Sequence, residues 1–147
     1  MVIRLQYISN DSDSVEEAVK LLEQVGGRKV CYITLNKSCG ALVESFREHG
    51  LNLSNIVYID AISQRIGKLT PVSGCIYIRT PYDLNSISKE IRKMISAGSN
   101  LIVFDSLSSL LAYGSAVPSG KGILVNFVNS FSAELKNIGD AVFLCDR

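Results

Sequence analysis

A strand that ends in a carboxylate is the part of this sequence with the clearest chemical potential. The run Leu101–Phe104 is apolar, and Asp105 follows it directly. A carboxylate at the C-terminal end of a parallel strand lies where open α/β sheets bind ligands. It could equally cap the following turn through backbone amides. Both interpretations are open for Asp105, and also for Asp60, which ends the apolar run Ile56–Ile59.

A second polar segment follows the first predicted strand. Residues 9–14 are Ser-Asn-Asp-Ser-Asp-Ser, without glycine or lysine. Such short polar residues suit a turn, and Ser14 begins a capping box that opens a helix. Asp11 and Asp13 would repel a phosphate by about 1 kcal/mol or more each at close range. We interpret the segment as a capped turn, with Asp11, Asp13 and Asp105 as the candidate metal ligands.

A glycine- and lysine-containing segment later in the chain departs from a phosphate-binding loop. Gly114–Lys121 has five residues between its two glycines instead of four. Gly122 then stands where a serine or threonine should coordinate Mg²⁺. We therefore predict a surface loop over Ala112–Lys121.

The four cysteines form no Cys-x-x-Cys pair, and the single histidine, His49, has no partner at metal-ligand spacing. Cys31, Cys75 and Cys145 lie in or beside apolar runs and are predicted to be buried free thiols. Cys39 lies near the start of a predicted helix, where the helix dipole could lower its pKa.

Composition indicates a well-packed soluble domain. The chain has 147 residues, 47% of them hydrophobic and 20% charged, with a formal net charge of +1. This near-neutral charge gives no reason to expect nucleic acid or an anionic membrane as a partner. No apolar run reaches the roughly 18 residues of a membrane span, and the N-terminus lacks a signal-peptide pattern. We expect a single cytoplasmic domain over residues 1–147.

Strands and helices alternate along the whole chain. Strands are predicted at Val2–Ser9, Lys29–Leu35, Asn55–Asp60, Cys75–Arg79, Asn100–Asp105 and Ala141–Cys145. Helices are predicted from Ser14 to the glycine pair at 26–27, at Ser38–His49, Asp83–Ala97 and Gly122–Ile138, with one turn at Leu107–Leu111. The strands are continuous apolar runs, which indicates burial on both faces. We predict an α/β three-layer sandwich, a mostly parallel sheet with helices on both faces.

These segments resemble the RecA-like ATPase core of the KaiC type over nearly the whole chain. Asn100–Leu110 resembles the Walker B strand of that family, whose acid binds Mg²⁺ beside the nucleotide phosphates. Lys29–Leu35 and the helix after it resemble the family's second strand and helix. Glu134–Leu144 resembles the end of the family's helix after the Walker B strand, together with the strand that comes after that helix. The resemblance implies a P-loop NTPase-type core.

The sequence departs from that family at two parts of its catalytic machinery. The family's phosphate loop would fall at Asn10–Ser14, where its glycines and lysine are absent. Its catalytic acids would follow the second strand, where Asn36-Lys37 stands, and a lysine is protonated at neutral pH. We expect an inactive domain without a cofactor, which binds another protein or itself. Asp105, Ser106 and Ser14 are the candidate nucleotide contacts.

Two alternatives stay open at this point. The first is a signalling receiver domain, in which Asp11 and Asp13 form the acid cluster. Asp60 would be the phosphoacceptor of such a domain and Thr80 its switch hydroxyl, although Asp105 stands where that family has a lysine. The second alternative is nucleotide binding without hydrolysis.

Overall fold

The computed structural model describes residues 3–8, 14–67, 72–115, 120–135 and 139–146, and each structural statement below refers to these residues. The strands are β1 (Ile3–Ile8), β2 (Val30–Thr34), β3 (Ile56–Asp60), β4 (Cys75–Tyr77), β5 (Leu101–Asp105) and β6 (Asp140–Asp146). The helices are α1 (Ser14–Gln24), α2 (Cys39–Glu48), α3 (Leu84–Ser96), α4 (Leu107–Ser115) and α5 (Gly120–Leu135).

All six strands are parallel and form one sheet in the order β1-β6-β5-β2-β3-β4. The carboxyl ends of the strands therefore meet at one edge of the sheet. β5 lies between β6 and β2, and Asp105 is level with Thr34 of β2. The chain direction thus brings the ends of the second and fifth strands side by side.

Two apolar cores lie on opposite faces of the sheet. One contains buried side chains of α1 and α2, including Leu22 and Phe46. The other contains those of α3, α4 and α5, including Ile87, Leu110 and Phe131. Every residue of β2 and β5 is buried, which explains why these strands are continuous apolar runs. The predicted three-layer α/β sandwich is confirmed.

The surface loop predicted over Ala112–Lys121 is wrong at both ends. α4 continues to Ser115 and α5 begins at Gly120. Tertiary contacts extend α4, because the Tyr113 hydroxyl donates to the Leu35 carbonyl at 3.1 Å. Gly114 packs against α5, where an added Cβ would lie 3.2 Å from the Leu124 side chain. The close packing of α4 against α5 therefore explains the glycine at position 114.

The described helices include no segment long and apolar enough to cross a membrane. The assignment of residues 1–147 to one domain stays a prediction.

Candidate functional site

Asp105 is an enclosed carboxylate with an internal counter-ion. Its side chain is 1% exposed, and Oδ2 accepts a hydrogen bond of 2.6 Å from the Tyr32 hydroxyl. The Lys37 ammonium lies 3.5 Å from the same oxygen. The other oxygen, Oδ1, is buried without a hydrogen-bond partner in the structure. Oδ2 is therefore paired with a cation and a hydroxyl donor, whereas Oδ1 has no hydrogen-bond donor.

A tight turn after β2 positions Lys37. The Thr34 hydroxyl accepts from the Lys37 amide at 3.1 Å and donates to the Lys37 carbonyl at 2.7 Å. The Leu35 amide donates to the Asp105 carbonyl at 2.9 Å, which ties this turn to the end of β5. Because β2 and β5 are neighbours, the turn brings the lysine to the aspartate.

Tyr32 supplies the second contact from within β2. Its ring is buried and packs against Phe46 and Tyr58, with ring centroids 5.6 Å and 6.1 Å away. Burial raises the pKa of Tyr32 well above its ordinary value, and the charge of Asp105 and the hydrogen bond to it raise it further. The phenol is therefore the neutral donor across the ordinary pH range.

The capping interpretation of Asp105 is wrong, because Ser106 caps α4 instead. The Ser106 side chain accepts from the Ser109 amide at 3.3 Å, and its carbonyl accepts from the Leu110 amide at 3.1 Å. Strand alternation explains the difference. Asp105 lies on the α1 and α2 side of the sheet with Val103, whereas α4 packs on the opposite side.

Asp60 is the aspartate that caps a turn. Oδ1 accepts from the amides of Ile62 and Ser63 at 2.9 and 2.8 Å. Oδ2 accepts from the Cys39 amide at 2.9 Å and from the Ser63 hydroxyl. This buried carboxylate is satisfied by four protein donors, and it joins the end of β3 to the start of α2.

The receiver alternative disagrees with the strand order. It also disagrees with the environment of Asp60, whose oxygens already accept four hydrogen bonds from the protein. Receiver domains place the first strand inside the sheet, in the order 2-1-3-4-5. Here β1 is an edge strand beside β6. The proposed switch hydroxyl, on Thr80, accepts from the Tyr82 amide at 3.3 Å within a turn.

The remaining candidates are only partly described. Ser14 is the first residue of α1, and its side chain lies outside the described part. Asp11 and Asp13 also lie outside it. Within the described ranges, no three His, Cys, Asp or Glu side chains are grouped to hold a metal ion. The nucleotide and metal roles of these residues stay predictions.

A disulfide between Cys39 and Cys75 is a feature that the sequence interpretation missed. It joins the first residue of α2 to the first residue of β4, with the Cα atoms 6.5 Å apart. Cys75 is therefore not the free buried thiol that was predicted. A separation of 36 residues carries no pairing signal in the sequence. Cys31 and Cys145 are buried and outside the disulfide, as predicted, and burial raises the pKa of Cys31.

A groove between α3 and α5 was also missed. Its volume is about 550 Å³, and it lies on the side of the sheet opposite to Asp105. Polar side chains follow helical spacing along both of its edges, at Asn85 and Ser88 on α3 and at Asn126 and Ser130 on α5. That periodicity was available in the sequence, but it indicates an ordinary solvated face unless both helices are placed.

Comparison with solved structures identifies the architecture. A KaiC-like protein from the hyperthermophilic archaeon Pyrococcus horikoshii OT3 matches 99% of this chain with a TM-score of 0.62. The fold is KaiC-like. Sequence identity is 9%, so the likeness shows the KaiC-like fold alone, and this chain covers 63% of that structure. No protein-family model and no curated protein matches the sequence.

Proposed function

We propose that this chain is a catalytically inactive protein of KaiC-like fold that acts by binding another protein. The supporting observation is the pairing of Lys37 with Asp105. In the resemblance to the family, Asp105 corresponds to the acid that binds Mg²⁺, and Lys37 stands where catalytic acids are expected. The lysine therefore replaces a base and also neutralises the metal-binding acid.

Electrostatics oppose Mg·ATP at Asp105. A cation 4 Å from the Lys37 ammonium would be repelled by about 4 kcal/mol per unit charge at an effective dielectric of 20. A magnesium ion has two such charges, and on Oδ2 it would also compete with the Tyr32 hydroxyl. The residues around Asp105 do not fit the ion that the KaiC-like fold implies, so no hydrolytic step is assigned to them.

A binding role is supported by the outer surface of α4 and α5. Leu111, Ile123 and Val125 are between 46% and 57% exposed on these two helices. Ile123 also lines the groove between α3 and α5, and an exposed apolar side chain at a groove suits contact with another protein. An interaction surface of this kind would give a role to a KaiC-like fold that does not hydrolyse ATP.

A nucleotide assay tests this proposal. Thermal shift and phosphate release are measured with Mg·ATP on the unmodified chain, on Asp105→Asn and on Lys37→Ser. We expect no melting shift and no phosphate release from the unmodified chain, whereas removal of the cation in Lys37→Ser should permit a small Mg²⁺-dependent shift. Turnover by the unmodified chain that disappears in Asp105→Asn would refute the proposal.

Nucleotide binding without hydrolysis is a second candidate, and the unpartnered Asp105 Oδ1 favours it. A buried carboxylate oxygen without a donor is costly, and a ligand amino or hydroxyl group could satisfy it. A melting-temperature screen with ATP, ADP, GTP and cyclic dinucleotides, with and without Mg²⁺, separates the two candidates. Stabilisation that requires Asp105 and occurs without turnover would favour the second.

A further inference from the structure

The Cys39–Cys75 disulfide joins a firmly held helix to a weakly held strand. Cys39 is fully buried as the first residue of α2, and its amide donates to Asp60 Oδ2 at 2.9 Å. Ser38 caps the same helix by accepting from the Ala41 amide at 3.2 Å. Because these contacts are independent of the disulfide, we expect the start of α2 to keep its position when the bond opens.

β4, which begins at Cys75, is the weakly held partner. It is three residues long, each of them only partly buried, and it lies at the edge of the described sheet. The hydrogen bonds that attach it and its flanking residues to β3 include one from the Tyr58 amide to the Gly74 carbonyl at 2.9 Å. Another joins the Ile78 amide to the Asp60 carbonyl at 2.8 Å. Elements with so little burial lie at the low end of local stability, so we expect β4 to open before the central strands.

The turn before β4 folds back on itself beside α2. The Val72 carbonyl accepts from the Cys75 amide at 3.1 Å, and the Val72 amide donates to the Tyr77 hydroxyl at 3.2 Å. Val72 reaches α2 at Gly40, where an added Cβ would lie 3.7 Å from the Val72 side chain, an ordinary van der Waals distance. Residues 72–77, the β4 segment, therefore depend on the disulfide for their covalent attachment to α2.

We propose that the Cys39–Cys75 disulfide is a redox switch, which a low-molecular-weight thiol such as glutathione opens by attack on Cys75. Opening releases the β4 segment from α2 and uncovers the outer edge of β3. Oxidation closes the bond again. The proposal goes beyond partner binding and does not rest on it, so Mg·ATP turnover would leave it standing.

Accessibility directs the incoming thiol to Cys75. Cys75 is partly buried and follows two exposed residues, whereas Cys39 is 0% exposed. The incoming thiolate forms a bond to Cys75 Sγ, the bond between the two cysteine sulfurs breaks, and its electron pair leaves on Cys39 Sγ, which takes a proton. A second thiolate attacks the external sulfur of the mixed disulfide and releases Cys75, which also takes a proton. Two external thiols are thereby oxidised to one disulfide, and the protein disulfide is reduced to two thiols.

Two charges act in opposite directions on the sulfur that leaves. The positive end of the α2 dipole favours a thiolate at Cys39. The Asp60 carboxylate, which accepts from the Cys39 amide, disfavours it. The direction of attack therefore follows from accessibility rather than from the stability of the thiolate.

The other two cysteines are kept away from the disulfide by the sheet. Cys31 and Cys145 are buried in the core that contains side chains of α3, α4 and α5. Cys39 and Cys75 lie on the opposite face, with the side chains of α1 and α2. Exchange therefore needs a thiol from solution.

Reduction of the folded chain tests the direction of attack. The unmodified chain is equilibrated without denaturant in mixtures of reduced and oxidised glutathione, quenched with acid and mapped by mass spectrometry. We expect complete reduction in excess reduced glutathione, with a transient glutathione adduct on Cys75, and recovery of the disulfide in oxidised glutathione. Reduction that requires denaturant, or an adduct on Cys39 instead of Cys75, overturns the proposal.

Amide hydrogen exchange, measured residue by residue by NMR, separates a switch from a purely structural disulfide. A structural bond would accelerate exchange on reduction by the same factor throughout the sheet, because only global stability falls. For a switch, the acceleration at the Tyr58 and Ile78 amides should exceed by about tenfold or more that at the Leu35 amide, which donates to Asp105 in the centre of the sheet. Equal factors at the three amides would overturn the proposal.

Two variants complete the test. Cys75→Ser should show the opened exchange pattern without glutathione. If this variant does not fold, the unmodified chain in reduced glutathione provides the same state. Cys31→Ala/Cys145→Ala is the matched control and should switch as the unmodified chain does. A control variant that no longer responds to glutathione would assign the exchange to another thiol and overturn the proposal.

Discussion

Lys37 Nζ lies 3.5 Å from Asp105 Oδ2, where Lys37 is in the turn after β2 and Asp105 ends the neighbouring strand β5. The aspartate is 1% exposed and the lysine 25%. Tyr32 donates to the same oxygen. Breaking such a pair is destabilising because it leaves an uncompensated buried charge, whereas removing both charges can be nearly neutral.

Lys37→Met should therefore lower the free energy of unfolding by about 2 kcal/mol at pH 7, reduced from the usual value for buried pairs by the partial exposure of the lysine. The double variant Lys37→Met/Asp105→Asn should recover most of this loss, because no buried charge remains. Urea denaturation gives both values. Arg47→Met is the control, since its pair with Glu44 is exposed on both sides and should change stability by less than about 0.5 kcal/mol. If the losses in unfolding free energy of the two single variants simply add in the double variant, Lys37 and Asp105 are not energetically coupled and the prediction is contradicted.

Asp60→Asn should be more destabilising than substitutions at exposed acids. Asp60 accepts four hydrogen bonds from the 62–63 turn and from the start of α2, and an amide replaces one acceptor oxygen with a donor. We expect a loss of about 2–4 kcal/mol by chemical denaturation. Glu48→Gln, at an exposed position of α2, is the control. A change below about 0.5 kcal/mol at Asp60 would contradict the capping role.

Reduction of the Cys39–Cys75 disulfide should destabilise the chain. Closing a loop over 36 residues is worth about 3–4 kcal/mol in the chain-entropy relation. We expect Cys75→Ser, and the wild type in reductant, to lose a similar amount in denaturant titrations. Cys75→Ser should be insensitive to reductant. Mass spectrometry with an alkylating agent under denaturing, non-reducing conditions should count two free thiols in the wild type. Four would contradict the pairing.

The same thiol count bears on location. Disulfides are rare in a reducing cytosol, so the state of Cys39 and Cys75 in cells is the sharpest check on the cytoplasmic location predicted from the sequence. That location stays a prediction.

Stability should fall above pH 10 because of two buried tyrosines. Burial raises the pKa of Tyr58 to about 12, and the pKa of Tyr32 is raised well above its ordinary value. An unfolded tyrosine ionises near pH 10, so the unfolded chain releases protons that the native chain retains. The stability is complete below pH 10 and is lost as the pH rises through the folded pKa values. Each tyrosine should contribute a loss of about 1.4 kcal/mol per pH unit.

Urea titrations between pH 8 and 11.5 measure this dependence. Tyr58→Phe should be nearly neutral at pH 7, because the Tyr58 hydroxyl is buried without a partner, and it should flatten the alkaline decline. Tyr32→Phe should cost stability at pH 7, because Asp105 loses a donor. An alkaline slope that is unchanged in the double variant Tyr32→Phe/Tyr58→Phe would show that other groups cause the decline.

Local patterns predicted most of the architecture. The apolar runs predicted β2, β3 and β5 to within a residue or two, because burial on both faces requires continuous apolar side chains. The boundaries of α4 and α5 were predicted less well. They depend on Tyr113 reaching Leu35 and on Gly114 packing against Leu124, contacts that form only after the helices are packed together.

The sequence by itself determined which chemical groups are present: a strand-ending Asp105, a polar segment without glycine or lysine after β1, and Lys37 directly after the second strand. Tertiary structure alone decided which of these groups meet. The strand order puts β2 beside β5, which brings Lys37 and Tyr32 onto Asp105, whereas Asp60 is satisfied by its own turn and by α2. Such contacts between distant segments depend on strand order and side-chain direction, because local sequence patterns specify the elements but not their neighbours.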